Sequence, residues 1–307
     1  MGLVNQMFNR FKQLLNSYSV DQSWKVLVKK TDQMDFDFSK DNIEIRNSLR
    51  YWYADPFLVT KNNKVYLYVE VFDKFLNKGS IGYFDLEKKR IKHKIVLKKQ
   101  YHMSYPFIFM ANDEYYMIPE TSEIKEVSIY KATKFPDKWK KQCVILENVN
   151  AVDTNLIRCN NKLYIISAIA KINSNIVEEV IYELSETFSI IKLISKKRQI
   201  DYGARNAGDF WVNQDTTYRF TQDCRNDNYG TGIFKSVFTP FQNNVIEYLS
   251  YREVLYSINS HTGFHTISYK NGYLAVDVKY EKKNGVTQKF YLTIISVMRS
   301  LKRRLRK

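Results

Sequence analysis

The sequence predicts an all-β chain folded as a five-bladed β-propeller, and three observations carry that expectation. A hairpin unit is written five times, with apolar anchors at Phe57, Phe107, Leu156, Phe210 and Ile267. The anchors recur roughly every 50 residues, the period of a propeller blade rather than of a helical solenoid. Between anchors there is room for two further strands per unit. Aromatic content is high, with 23 Tyr and 19 Phe, which suits packed sheet faces. The competing architecture is a two-sheet sandwich whose hairpins resemble one another by accident.

In chain order, the first unit opens on Tyr53-Ala54-Asp55-Pro56-Phe57, turns at 60–64 and returns through Val65 to Glu70. The second runs from Tyr105 to Phe109, turns at Asn112-Asp113 and returns through Tyr115 to Ile118. The third runs from Val152 to Ile157, turns at Asn160-Asn161 and returns through Leu163 to Ile166. The fourth runs from Ala207 to Trp211, turns near Gln214-Asp215 and returns through Thr217 to Phe220. The fifth runs from His265 to Tyr269, turns at Asn271-Gly272 and returns through Tyr273 to Val276. Such polar pairs between alternating apolar runs are hairpin signals. Runs such as 80–84, 127–130 and 180–184 fill the third-strand positions. The expected organisation is an N-terminal extension with a lead-in strand over 1–44, a propeller over 45–285 and a basic amphipathic tail over 286–307.

Both ends read as short amphipathic helices. Leu3, Val4, Met7, Phe8, Phe11, Leu14 and Leu15 fall at helical spacing. At the other end, the apolar run from Phe290 to Met298 leads into Arg299, Lys302, Arg303, Arg304, Arg306 and Lys307. An apolar segment with a polybasic tail suits an anionic membrane surface, and a net charge of +16 calls for such a partner. The alternative is that both helices pack against the propeller. Nucleic acid is not expected, because no recognised motif accompanies the scattered basic residues. Gly2 lacks the Ser or Thr near position six that myristoylation needs. Cys143, Cys159 and Cys224 are odd in number and show no metal-ligand spacing, which points to a reducing compartment. No secretion signal and no run of about 20 apolar residues is present. The expectation is a cytoplasmic protein held peripherally at a membrane, and the residues name no cofactor.

In a propeller, the innermost strand of every blade starts at one mouth of the central channel, so residues distant in sequence meet there. The starts carry Asp55, Ser104-Tyr105, Asp153, Arg205-Asn206 with Asp209, and His261 with His265. Glu70, Glu120 and Asp223 end the neighbouring strands at a common offset, and His102 lies close by. Singly, Asp55 reads as a strand cap, Asp153 as a turn residue and each His as structural. Together they resemble the paired carboxylates of glycosyl transfer, one acting as base or cation stabiliser while another group serves the leaving oxygen.

The motifs WYADPF, HMSYPFIF, YYMIPET, FPDKW, AVDTNLI, RNAGDF, FTQDC followed by YG, and FHTI occur in this order. The ordered set resembles the propeller domain at the N-terminus of plant glucosamine inositolphosphorylceramide transferases and its bacterial relatives, over about residues 45 to 280. The resemblance implies a five-bladed propeller akin to those of glycoside hydrolase families 43 and 32. It also implies, for bacterial relatives, a link to surface-polysaccharide assembly. Family 43 hydrolases place acids at the starts of blades one and three, matched by Asp55 and Asp153, and a glutamate in blade four. That glutamate would fall near Asn206, so the sequence departs there, with Arg205 beside it.

The departure disfavours simple hydrolysis and suits a phosphate-bearing leaving group, neutralised by Arg and His. The expected function is therefore a glycosyltransferase in glycolipid or capsule-type polysaccharide biosynthesis. It would take a nucleotide- or lipid-linked sugar donor and a glycan or glycolipid acceptor. The expected catalytic residues are Asp55, Asp153 and Glu120; Glu70, His102, Tyr105, Arg205, Asn206, Asp209, Asp223 and His265 are expected to bind substrate. Two alternatives stand beside it: a family 43-like glycosidase, and a non-catalytic propeller that binds glycans or scaffolds other proteins.

Overall fold

The computed structural model describes residues 20–38, 41–88, 91–170, 177–199, 202–224, 230–239, 242–250, 261–283 and 285–304. The helix expected over 3–15 lies outside them. Strands β1 (Val20–Lys30) and β2 (Asn42–Ile45) come first in the chain but last in the ring. Blade one comprises β3 (Tyr51–Lys61), β4 (Lys64–Asp73), β5 (Lys78–Asp85) and β6 (Lys94–Leu97). Blade two comprises β7 (Ser104–Ala111), β8 (Glu114–Thr121), β9 (Glu126–Lys134) and β10 (Lys138–Glu147). Blade three comprises β11 (Ala151–Cys159), β12 (Lys162–Ala170), β13 (Val177–Leu184) and β14 (Ile190–Gln199). Blade four holds β15 (Tyr202–Asn206), β16 (Trp211–Asn213), β17 (Thr216–Asp223), β18 (Gly232–Thr239) and β19 (Gln242–Ser250). Blade five joins β20 (His261–Lys270) and β21 (Tyr273–Lys283) to β1 and β2, and helix α1 (Val286–Arg304) follows. The chain is a five-bladed propeller.

Ring closure is made by residues from the far end of the sequence. β1 pairs antiparallel with β21 from Val20↔Lys283 to Lys30↔Tyr273. Because strand side chains alternate, Val26 and Val28 pack with Tyr53, Leu58 and Leu67 of blade one, while Leu27 joins Phe220, Phe264 and Ile267. The segment before residue 45 thus supplies two strands of the closing blade. Elsewhere the core lies between blade faces, where Phe57 meets Tyr105 edge-on at 5.0 Å and Phe107 at 5.9 Å. The hairpin turns obey their chemistry: Asn62-Asn63, Asn112-Asp113 and Asn160-Asn161 all adopt positive φ at both residues.

One irregularity repeats. The innermost strand slips register between Ala54 and Phe57, Ser104 and Phe107, Val152 and Asn155, and Phe264 and Ile267. At three of these bulges a non-glycine residue takes the left-handed region: Asp55 (φ 51°), Tyr105 (φ 44°) and Asp153 (φ 49°). Each such residue costs about 1–2 kcal/mol. Bulges re-aim side chains and free backbone groups from the ladder, which is the use made of them here.

Blade four departs from the plan. Its inner strand is split into β15 and β16, and the intervening Gly208 (φ 112°) bridges Ile267 of blade five. A Cβ on Gly208 would fall inside the Ile267 carbonyl. Gly208 N–H donates to Tyr105 Oη (2.9 Å), while Asn155 Nδ2 donates to Gly208 O (2.7 Å). Tyr105 Oη in turn donates to Asn155 Oδ1 (3.0 Å). These groups lie one or two residues further down the strands than Asp153, Asn206 and His265, so they floor the channel beneath its mouth.

Helix α1 docks on blade one. Leu292 and Thr293 are buried, and the Tyr291 ring meets Phe75, in the β4–β5 turn, at 5.2 Å. Val286, Phe290, Ile294 and Met298 form an exposed row at four-residue spacing, and the helix contains no acidic residue. No helix among the described residues is long and apolar enough to cross a membrane.

Candidate functional site in the propeller funnel

Above the floor a pocket of about 220 Å³ is lined by Trp24, Trp52, Asp55, Glu70, His102, Ser104, Glu120, Asp153, Arg205 and His265. This is below the roughly 300–1,000 Å³ of drug-sized sites and suits a single ring. Seven of the sequence-derived residues therefore share one cavity: Asp55, Glu70, His102, Glu120, Asp153, Arg205 and His265. All five blades contribute.

The bulges explain how the acids are held. Each left-handed residue points its freed N–H at a carboxylate of the preceding blade. Asp55 N–H donates to Asp277 Oδ2 (2.9 Å), Tyr105 N–H to Asp55 Oδ2 (3.0 Å) and Asp153 N–H to Glu120 Oε2 (3.2 Å). The acids thus join the blades as well as face the pocket. Asp153 Oδ2 also accepts from Arg205 Nε (2.6 Å) and Gln222 Nε2 (3.1 Å), so its charge is compensated from blade four.

Burial and like charges set the protonation of this cluster. Asp55 is pushed up to about 6, chiefly by burial, against the opposing pull of His265. Glu120 is pushed up to about 7 by burial and by Asp153, with Arg205 and the Ser122 hydroxyl pulling the other way. Burial holds His102 below the usual histidine value. Burial also opposes charge on His265, yet the Asp277 carboxylate carries it above the usual value. His265 stacks on Trp24 at 3.8 Å, so a residue of the closing strand forms its back wall.

Asp55, His265 and Asp277 bring one potential ligand atom each within 4.8 Å of one another, which is cation-site spacing. Their hydrogen bonds argue for a proton-bearing relay instead. Asp277 Oδ1 accepts the N–H groups of His265 (3.3 Å) and Thr266 (2.8 Å) and faces His265 Nδ1 at 2.7 Å. With Oδ2 taken by Asp55 N–H, Asp277 has little acceptor capacity left for a metal, and His265 Nδ1 carries the proton.

Four expected substrate-binding residues do not line the pocket. Tyr105 is fully buried because its ring serves the floor. Asn206 is a buried clamp, donating to Asp153 O (2.6 Å) and Ile166 O (3.0 Å) while accepting from Arg219 Nε (2.8 Å). Asp209 follows Gly208 past the floor, where Ser268 Oγ donates to it at 2.6 Å. Asp223 is buried, and strand alternation gives the site-facing position to its neighbour Gln222. The His261 side chain lies outside the described residues. Ser104, named as a blade start, lines the pocket; Trp24 and Trp52 also line it and Asp277 supports it, although these three were not singled out from the sequence. An acid inside the apolar run Tyr273-Leu274-Ala275-Val276-Asp277-Val278 was the available signal for Asp277.

A larger cleft of about 380 Å³ lies between blades five and one, lined by Glu44, Arg46, Tyr53, Phe84, Lys92 and His93 among others. Its charged side chains are exposed, and it lacks the convergent buried acids of the funnel.

Comparison with known proteins places this geometry. Solved propellers of similar fold include the α-L-arabinofuranosidase of Podospora anserina (TM-score 0.54, 6% identity, covering 76% of this chain and 91% of that one). A GH43_1 enzyme from Xanthomonas citri is also similar (TM-score 0.52, 8% identity, 88% and 91%). At such identities the likeness is one of fold. In sequence, glucosamine inositolphosphorylceramide transferase 1 of Arabidopsis thaliana is 33% identical over 214 residues, 66% of this chain and 26% of that protein. The protein of that name from Oryza sativa subsp. indica is 29% identical over 181 residues, 56% and 24%. The chain thus spans about a quarter of the length of these relatives. Residues 42–287 match the family model described as glucosamine inositolphosphorylceramide transferase 1, N-terminal, and the chain belongs to that family.

Proposed function

We propose that the funnel binds a single sugar residue and transfers it, during glycolipid or surface-polysaccharide assembly at the cytoplasmic face of a membrane. The observation that carries this reading is the convergence of Asp55, Glu70, Glu120 and Asp153, from three blades, on one pocket. Glu120, at about 7, is matched to receiving the acceptor hydroxyl's proton near neutral pH. Asp55, ionised above about 6, faces the pocket as the carboxylate that steadies positive charge at the anomeric carbon. Asp153 anchors Arg205, whose guanidinium supplies positive charge for a phosphate on the departing group. Trp24 and Trp52 offer aromatic faces to a sugar ring. The exposed row of α1, with its basic end, would hold the mouth near anionic lipid.

A second reading, glycoside hydrolysis, is favoured by one observation. Protonated Glu120 offers the proton donor that Asn206 cannot. The two separate in one assay, in which purified protein receives nucleotide-sugar donors with lipid acceptors, and separately aryl glycosides. Transfer that depends on Asp55 and Arg205 supports the first reading. Release of aryl alcohol, indifferent to Arg205→Lys, replaces it with the second. If neither reaction occurs while sugars still bind, the funnel is a non-catalytic glycan site.

A further inference from the structure

Glu70 is the acid of the funnel with the least apparent reason to be there. It is 5% exposed, lines the pocket, and its Oε1 accepts no hydrogen bond. Among the described residues no Lys or Arg pairs with it, and its sole ion-pair neighbour is His102 Nε2 at 3.4 Å. That histidine is oriented from behind. Gly79 N–H donates to His102 Nδ1 at 3.0 Å, which leaves the proton of the neutral ring on Nε2, the nitrogen that faces Glu70. Gly79 is required for a second reason, since a Cβ there would overlap both Glu70 Oε1 and the Met103 carbonyl oxygen. The remaining charged groups acting on Glu70 are acids: Asp55, Glu120 and Asp277.

A buried carboxyl group among three others, with no Lys or Arg among the described residues to balance it, sheds its charge by keeping its proton. Burial, followed by repulsion from those three, holds Glu70 well above the usual carboxyl range. A neutral carboxyl group differs from its neighbours in having an O–H to donate.

We propose that Glu70 is a carboxylic acid neutral at pH 7 whose O–H, held at the funnel wall by Gly79 and His102, hydrogen-bonds an oxygen of the bound sugar. The assignment rests on the reading of the funnel as a sugar site. It adds an O–H donor beside the acceptor carboxylates of the funnel, and so supplies specificity for a hydroxyl or departing oxygen there. No proton changes owner, because the group binds and does not ionise. An amide can replace such a donor; it cannot replace a base, a nucleophile or a general acid.

Two measurements test this. Difference infrared spectra at pH 7, wild type minus Glu70→Gln, should contain the carbonyl stretch of one protonated carboxyl group, and its absence overturns the proposal whatever the funnel binds. Calorimetric titration with xylose, arabinose and glucosamine then reads the hydrogen bond. For whichever sugar binds, Glu70→Gln should keep affinity within about threefold and Glu70→Ala should lose about tenfold, the usual size of one hydrogen bond. Equal loss in both variants, or in neither, overturns the donor role. Should no sugar bind the wild type, the sugar-site reading fails and the hydrogen bond to sugar fails with it, while the infrared band still reports the protonation state. Gly79→Ala gives an independent check: by displacing Glu70 Oε1 it should weaken the same sugar as much as Glu70→Ala, and unchanged affinity counts against the positioning.

Discussion

Blades one and four start from the same plan and diverge at one residue type. In blade one the inner strand is continuous for eleven residues, Tyr51–Lys61, and a bulge turns Asp55 into the pocket. In blade four the corresponding strand stops at Asn206, and the chain crosses to Ile267 through Gly208. Blade one presents acids and aromatics; blade four presents Arg205 and uses Asn206 as a clamp. The uninterrupted inner strand of blade one makes a wall of the funnel, whereas the broken one of blade four lends Gly208 to the floor and Arg205 as counter-charge for the wall.

The largest test of this contrast is Gly208→Ala. A methyl group meets the Ile267 carbonyl and the residue cannot relax at φ 112°, so a stability loss above about 4 kcal/mol is expected in denaturant titration. A loss below about 1 kcal/mol would show that the crossing is incidental. Next is Asp55→Asn, which keeps shape and removes the charge. Activity at neutral pH should fall by about 100-fold or more, while stability at about pH 4, where the Asp55 carboxyl is protonated in the folded state, stays within about 1 kcal/mol. A larger stability loss with retained activity would make Asp55 a joint between blades and nothing more.

The third test is pH. Asp55 and Glu120 have folded pKa values raised from 3.8 to about 6 and from 4.5 to about 7. Raised carboxyl values mean that the folded state binds protons more tightly. Their contribution is therefore full below about pH 4 and is lost as pH rises to about 7. Each is worth on the order of 2–3 kcal/mol. Glu120→Gln should flatten the fall in stability between those pH values, and an unchanged slope would place its titration elsewhere. The smallest expected effect is at the edge of blade one. Tyr291→Ala removes an aromatic pair with Phe75 and should cost about 1 kcal/mol, leaving sugar binding unaltered. If sugar affinity falls as well, the helix belongs to the site.

Much of blades one to three was legible because local chemistry and global fold agree there. Asn-Asn and Asn-Asp turns and alternating apolar residues repeat in all three, and acids mark the strand starts at Asp55 and Asp153 and the ends of the returning strands at Glu70 and Glu120. What resisted reading depends on parity or on distance. Tyr105 holds the bulge position that carries Asp55 and Asp153 in blades one and three, but its longer ring reaches down to Gly208 and becomes floor. Strand alternation gives Gln222, not Asp223, the inward place. Trp24 reaches His265 only through ring closure, across more than 200 residues, and no local pattern announces that contact. Gly208 reads as a loop glycine until Ile267 is seen above it.

The Tyr105–Asn155–Gly208 floor also fixes traffic. If the funnel seats one sugar above these hydrogen-bonded residues, as proposed, a second reactant would reach it from the mouth, and the sugar would leave only after that reactant.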